Sequence, residues 1–126
     1  MKKNYVILSN NPKLKKFLEG GEELIYKDIS FEAILLSARD MIHKGHRLLS
    51  HPLSGSVKPI ETPYKSVMLS KNCGELDLFS LSLIEKAIEA AGKFEDNRYL
   101  YTEDIKSDFQ TVDLDLIKGA IISAEA

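Results

Sequence analysis

The segment from residue 51 to residue 66 constrains the fold of this chain more than any other part. It reads His-Pro-Leu-Ser-Gly-Ser-Val-Lys-Pro-Ile-Glu-Thr-Pro-Tyr-Lys-Ser and holds three of the four prolines, Pro52, Pro59 and Pro63. Because proline fixes φ and lacks a backbone N–H, the segment can be neither a central strand nor the interior of a helix. Apolar runs flank it on both sides and would hold its ends. Loops of this length are uncommon in small domains and are often functional, so we predict the binding site here.

The length indicates a single domain over residues 1–126, which the order of elements given below makes α/β, and the composition, with 44% apolar and 29% charged residues and a net charge of −2, is that of a globular protein. This charge gives no reason to expect nucleic acid or an anionic membrane as partner. No apolar run approaches the roughly 18 residues of a membrane-spanning helix, and the run near the N-terminus is too short for a signal peptide. The single cysteine rules out an internal disulfide and suits a reducing compartment. We therefore expect a cytoplasmic protein.

Positive charge is concentrated in one part of the chain. Over residues 43–71, five lysines or arginines stand against one acid, Glu61, and all three histidines lie there too. A positive patch on an acidic protein suggests an anionic small ligand or a docking face. The alternative is that these side chains point in different directions once the chain has folded.

Apolar periodicity predicts alternating strands and helices. Four runs are typical of strands: residues 5–8, 24–26, 47–50 and 66–70. Helical spacing appears at 14–18, 31–42, 77–91 and from 102 onward, the last with a break near 111–113. In this last helix the predicted apolar face comprises Ile105, Phe109, Val112, Leu116 and Ala120. This order predicts a three-layer α/β/α-like sandwich with a short, mostly parallel sheet.

Two polar turns are the candidates for binding. Ser9, Asn10 and Asn11 follow the first strand, and the 51–66 loop follows the third. Ligands of open α/β sheets bind beyond the carboxyl ends of the strands, so the two turns would share a crevice if these strands were parallel neighbours. The predicted ligand-binding residues are Ser9, Asn10, Asn11, His51, Ser54, Gly55, Ser56, Lys58 and Lys65.

Amide and hydroxyl donors beside lysine suit a small anionic or phosphorylated metabolite. No glycine-rich phosphate motif is present, and ordinary capping or a tight turn would explain the same residues. We predict no catalytic residue, because the Gly-x-Ser-x-Gly elbow is missing and no acid is placed to orient His51. No cysteine or acid stands at ligand spacing from the histidines, so neither a metal nor a cofactor is expected. Cys73 is interpreted as an incidental thiol.

The region around the loop resembles the GrdX family of small proteins. The matching stretches are His43-Lys44-Gly45-His46, Leu48-Leu49-Ser50-His51-Pro52-Leu53-Ser54-Gly55-Ser56-Val57-Lys58-Pro59 and Glu61-Thr62-Pro63-Tyr64-Lys65-Ser66. These proteins are encoded beside the glycine, sarcosine and betaine reductase systems of amino-acid-fermenting anaerobic bacteria. The resemblance implies an accessory or regulatory role in reductive amino-acid metabolism, and it brings no catalytic residue with it. The chain lacks the redox-active cysteine pair or selenocysteine expected of a reductase subunit.

Three functions remain open at this point. The first is an accessory protein that binds a small anionic metabolite at the 51–66 loop; the resemblance suggests an acyl phosphate. The second is an interaction module whose stiff loop docks on a protein partner, a reductase subunit, with little loss of entropy. The third is an enzyme acting on a phosphorylated or acyl substrate, with His51 as acid or base.

Overall fold

The computed structural model describes residues 3–18, 22–53, 62–92 and 100–125. Its elements are β1 (Tyr5–Ser9), α1 (Leu14–Phe17), β2 (Glu23–Tyr26), α2 (Phe31–His43), β3 (Ser66–Ser70), α3 (Leu78–Ala91) and α4 (Glu103–Glu125). The predicted mixture of strands and helices is therefore confirmed. None of the helices in these ranges combines the length and the apolar character that a membrane span requires.

The described strands form a mixed sheet in the order β2-β1-β3. β1 pairs in parallel with β2, as Val6 opposite Glu23 shows, and antiparallel with β3, where Val6 lies opposite Leu69. The expectation of a three-layer sandwich with a mostly parallel sheet is confirmed only as far as the mixed α/β content. A short connection containing α1 leads from β1 to its parallel partner β2, and a much longer one containing α2 leads to the antiparallel partner β3.

The predicted strand at 47–50 is an isolated bridge, not a strand. Leu48 pairs with Leu69 in antiparallel fashion, on the side of β3 that faces away from β1. The Leu49 N–H donates to the Met68 carbonyl at 2.8 Å, but the Met68 N–H donates to the Ser50 hydroxyl oxygen at 2.9 Å. A side chain thus takes the place of the backbone carbonyl that would extend the ladder, and the pairing ends there.

Alternate side chains of β1 and β3 enter two apolar clusters on opposite faces of the sheet, as the period of two in a strand requires. On one face, Val6, Leu8, Val67 and Leu69 pack with α2 and α3. On the other face the cluster comprises Tyr5, Ile7, Leu14, Met68, Ile117 and Ile121. This second, smaller cluster fixes α4 across the sheet.

The long C-terminal helix differs from its prediction in two ways. It is continuous from Glu103 to Glu125, without the expected break near 111–113. Its buried positions are Asp113, Ile117 and Ile121, whereas three residues of the predicted apolar face are exposed, Ile105, Val112 and Leu116. A buried acid four residues before a buried isoleucine shows that hydrogen bonding, and not apolar spacing alone, sets the orientation of this helix.

Candidate functional site

The end of β1, the start of β3 and the end of the 47–50 segment meet at one edge of the sheet. This follows because β3 runs antiparallel to both of its neighbours. The turn after β1 and the described ends of the 51–66 loop, residues 51–53 and 62–66, lie at this edge, with the first residues of β3 between the turn and residues 51–53. Lys65 and Ser66 are therefore the central residues of the predicted crevice.

The three residues after β1 use their side chains to hold the turn together. Ser9 and Asn10 are both buried, and the Ser9 and Ser66 hydroxyls lie 2.7 Å apart. Asn10 donates from Nδ2 to the carbonyls of Ile29 (2.8 Å) and Pro63 (2.9 Å), and its Oδ1 accepts from the Lys65 N–H (2.8 Å). These bonds fix the backbone on both sides of Lys65.

Asn11 leads to a residue that the sequence analysis missed. Its Nδ2 donates to Asp113 Oδ2 at 2.9 Å and to the Gln110 carbonyl at 2.8 Å. Asp113, only 5% exposed, also accepts from the Ser66 N–H at 3.1 Å (Oδ1) and from the Ser66 hydroxyl at 2.7 Å (Oδ2). The sequence signal that could have revealed Asp113 is its spacing: it lies four residues before Ile117 and eight before Ile121, on the same face of the helix.

Lys65 is buried, with 5% of its surface exposed. Within the described ranges its Nζ has neither a hydrogen-bond acceptor nor an ion-pair partner, and it lies 6.0 Å from the centroid of the Phe31 ring. Burial lowers the pKa of the Lys65 amine from its ordinary value of 10.5, and the charge of Asp113 acts in the opposite direction. A buried amine is costly when it has no polar partner, and the described residues give Lys65 none, which makes it the main candidate for a ligand contact.

A cavity of about 630 Å³ is lined in part by Lys65 and lies on the α4 face of the sheet, whereas the Lys65 amine lies toward the Phe31 ring of α2. Its polar lining includes Ser50, His51, Lys65 and Asp113, and α4 contributes an apolar wall. The volume lies within the range of small-molecule sites. Of the predicted site residues, the structure brings His51 and Lys65 to this cavity and places Ser9, Asn10 and Asn11 behind it. Four others, Ser54, Gly55, Ser56 and Lys58, lie outside the described residues.

The hydrogen bonding of His51 assigns the proton of its neutral ring. The backbone N–H of Leu53 donates to His51 Nδ1 at 3.1 Å, so Nδ1 is the acceptor. In the neutral imidazole the proton is then on Nε2, which becomes a donor. His51, a residue of the cavity lining, thus has an imidazole N–H to donate.

Cys73 and His46 form a second polar pair, at the opposite edge of the sheet. The Cys73 Sγ lies 3.2 Å from His46 Nε2, and His46 Nδ1 lies 2.6 Å from the Ser70 carbonyl oxygen. Since a carbonyl only accepts, Nδ1 carries the proton and Nε2 accepts from the thiol. The 27-residue separation hid this pair from sequence reasoning. Within the described part of the chain, no group of three or more histidine, cysteine or acidic side chains is arranged to hold a metal.

Comparison with known proteins agrees with the resemblance seen around the 51–66 loop. The family model described as GrdX-like protein matches residues 6–122. No curated protein and no solved structure matches the chain. The family match extends from β1 through most of α4 and includes every residue of the cavity lining named above. The chain belongs to the GrdX-like protein family.

Proposed function

We propose that this chain is an accessory or regulatory protein of reductive amino-acid metabolism of the glycine reductase type, and that it binds a small anionic metabolite in the cavity beside Lys65. The family membership supports the metabolic context. The observation that carries the binding proposal is Lys65, a buried lysine that helps to line the cavity and whose amine has no acceptor among the described residues.

The energetics of a buried amine favour an anionic ligand. Burial lowers the pKa of Lys65 because the charged form loses hydration. An anion placed against Nζ would restore a partner for that charge in surroundings of low dielectric constant. Charge-assisted hydrogen bonds of this kind are about twice as strong as those between neutral groups.

Asp113 does not take the place of such a ligand. Its carboxylate lines the same cavity, but no ion pair with Lys65 forms within the described residues. Both of its oxygens already accept hydrogen bonds, three in all, from Ser66 and Asn11. The carboxylate is thus committed to holding the sheet edge to α4, and Lys65 is left without an ion-pair partner among the described residues.

Thermal unfolding with a panel of anions tests this proposal. The panel contains phosphate, acyl phosphates, nucleotides, amino acids and short carboxylates, added to the wild type and to Lys65→Met. A ligand at 100 times its dissociation constant adds about 2.7 kcal/mol, which should raise the midpoint by several degrees. We expect such a rise in the wild type and none in Lys65→Met.

The matched control is Lys71→Met, which removes a partly exposed lysine paired loosely with Glu23 at 3.9 Å. This variant should respond to the ligand as the wild type does. A flat panel, or an equal rise in Lys65→Met, would contradict anion binding at Lys65.

A docking function is favoured by a different observation. Three apolar side chains at the start of α3 are exposed, Leu76 to 44%, Leu78 to 71% and Phe79 to 73%. Apolar side chains grouped on a surface often mark a contact with another protein. If a reductase subunit docks there, Phe79→Ser should abolish co-migration with that purified subunit and leave the anion response intact. The enzyme hypothesis predicts instead that the protein turns over a phosphorylated or acyl substrate and that His51→Ala abolishes this turnover.

A further inference from the structure

An apolar stripe runs along α4 outside the core. Ile105, Phe109, Val112 and Leu116 follow one another at spacings of four, three and four residues, the repeat with which one helix packs along another. Ile105, Val112 and Leu116 are 42%, 55% and 38% exposed, respectively. None of the four belongs to the apolar clusters that the described residues form on the two faces of the sheet. The core of the protein therefore does not account for the repeat.

We propose that this stripe is the docking surface for an amphipathic helix of another protein, one whose apolar face is flanked by lysine or arginine. The surface lies on α4, apart from the exposed apolar residues at the start of α3. Docking here does not depend on the binding of an anion, and each can fail without the other.

Acidic side chains border the stripe on the side away from the core. Asp104, Asp108 and Asp115 are all exposed. At about 100° per residue they lie about 40–80° from Val112 around the helix axis, whereas the buried residues of α4 lie in the other direction. A helix that packs on the stripe would thus lie beside a row of three carboxylates. Lysine or arginine at its edge would complement this charge, which favours a basic partner.

On its other side the stripe borders the cavity. Leu116 belongs to both, and Gly119, one helical step further along α4, lines the cavity as well. A Cβ added at Gly119 would meet no atom within 4 Å, so a side chain of the docked helix has room at this turn. The surface is therefore apolar in its middle and acidic along one edge, which fixes the side on which the partner carries its charge.

The same charges disfavour a second copy of this chain as the occupant. In an antiparallel pair related by a two-fold axis, the same flank of both helices meets, because such an interface uses one surface twice. Asp108 and Asp115 would then face the same two residues of the other copy, and like charges placed in this way lower affinity. An anionic membrane surface is disfavoured for the same reason.

Two synthetic amphipathic peptides, each about three heptads long, test this docking surface. Both carry leucine and isoleucine along one face, but the flanks carry lysine in one peptide and glutamate in the other. Fluorescence anisotropy measures their binding to the full chain. We expect the lysine peptide to bind, and the glutamate peptide to bind at least roughly tenfold more weakly. Val112→Gln should weaken the lysine peptide roughly tenfold, because an apolar side chain leaves the interface.

A charge reversal provides a second, independent result. Asp108→Lys combined with Asp115→Lys should reverse the preference between the two peptides. The matched control is Leu78→Gln, which replaces an exposed apolar residue at the start of α3 and should bind the lysine peptide as the wild type does. All of these positions are exposed, so the unfolding midpoints should stay close to that of the wild type.

Four results would overturn the proposed surface. These are no binding of either peptide to the wild type, equal affinity for both peptides, loss of binding in Leu78→Gln but not in Val112→Gln, and a dimer in sedimentation that Val112→Gln dissociates. The third result would move the docking surface to α3, and the fourth would identify a second copy as the occupant. The anion panel is measured separately, and a flat panel would leave the docking surface standing.

Discussion

Asn11 and Asp113 are 102 residues apart in the chain, yet Asn11 Nδ2 donates a 2.9 Å hydrogen bond to Asp113 Oδ2. Both residues are buried, and the same carboxylate accepts two hydrogen bonds from Ser66. One side chain of α4 therefore holds the turn after β1 and the first residue of β3. This contact sets the edge of the sheet on which the cavity lies.

Replacing Asp113 should destabilise the protein strongly. Asp113→Ala leaves the Ser66 N–H, the Ser66 hydroxyl and Asn11 Nδ2 without this acceptor, at a cost of about 3 kcal/mol in the free energy of unfolding. Urea unfolding measures the change. Asp115→Ala, an exposed change on the same helix, should stay within about 0.5 kcal/mol of the wild type. Equal midpoints for the two variants would contradict the proposed role of Asp113.

The kinds of elements could be predicted from sequence because their patterns are local. The apolar run of β1 and the spacing of α2 identify a strand and a helix without reference to the rest of the chain. The direction of β3 could not be obtained in this way, since its alternation is the same in parallel and antiparallel pairs. A usable signal was the connection, because parallel neighbours usually need a crossover helix, and the proline-rich 51–66 loop is unsuited to one.

The candidate site was predictable only in part. His51 and Lys65 belong to the unusual loop and reach the cavity. Whether Asn10 and Asn11 face a ligand or bond to the protein depends on partners distant in sequence, such as Pro63 and Asp113. Short polar residues after a strand form the same sequence pattern whether they bind a ligand or hydrogen-bond to the protein itself.

Lys65 should give the stability of the protein a specific pH dependence. Burial lowers its pKa in the folded state below the ordinary 10.5, so the folded protein releases this proton at lower pH than the unfolded chain does. Below the lowered pKa the cost of burying the charge is present in full. Between that pKa and 10.5, the contribution of Lys65 to the free energy of unfolding rises with pH.

Urea unfolding of the wild type and Lys65→Met over a series of alkaline pH values measures this contribution. The difference in free energy between the two proteins should change in favour of the wild type as pH rises. Lys71→Met serves as the control, since this lysine is partly exposed. A constant difference between wild type and Lys65→Met would show that the amine is not buried as described.

Two glycines should respond in opposite ways to alanine. Gly45 has a φ of 108°, and a Cβ there would overlap the carbonyl oxygen of Gly74. Gly45→Ala should therefore lower the free energy of unfolding by roughly 2 kcal/mol or more. In α4, Gly119→Ala adds a Cβ in open space and should raise stability by about 0.5–1 kcal/mol. Thermal and urea unfolding measure the stability of both variants. A change in the same direction for both would contradict the prediction.

The thiol of Cys73 should react faster than a free thiol because His46 Nε2 accepts its proton. Alkylation by iodoacetamide is unambiguous here, because the chain has one cysteine. We expect the rate near neutral pH to fall severalfold in His46→Gln, measured by intact mass. His43→Gln, at the end of α2, is the control and should leave the rate unchanged. Equal rates in the wild type and His46→Gln would contradict the assistance.

The cavity has one side built on the sheet edge and one side built on α4 alone. α4 is attached through Asp113 and a cluster smaller than the one on the other face of the sheet. A ligand that fills the cavity adds contacts to this helix, so occupancy and helix attachment are thermodynamically coupled. Amide hydrogens of α4 should then exchange more slowly with solvent when the cavity is filled. A protein that contacts the outer face of α4, where Val112 and Ile122 are exposed, would then bind the filled and the empty forms with different affinity.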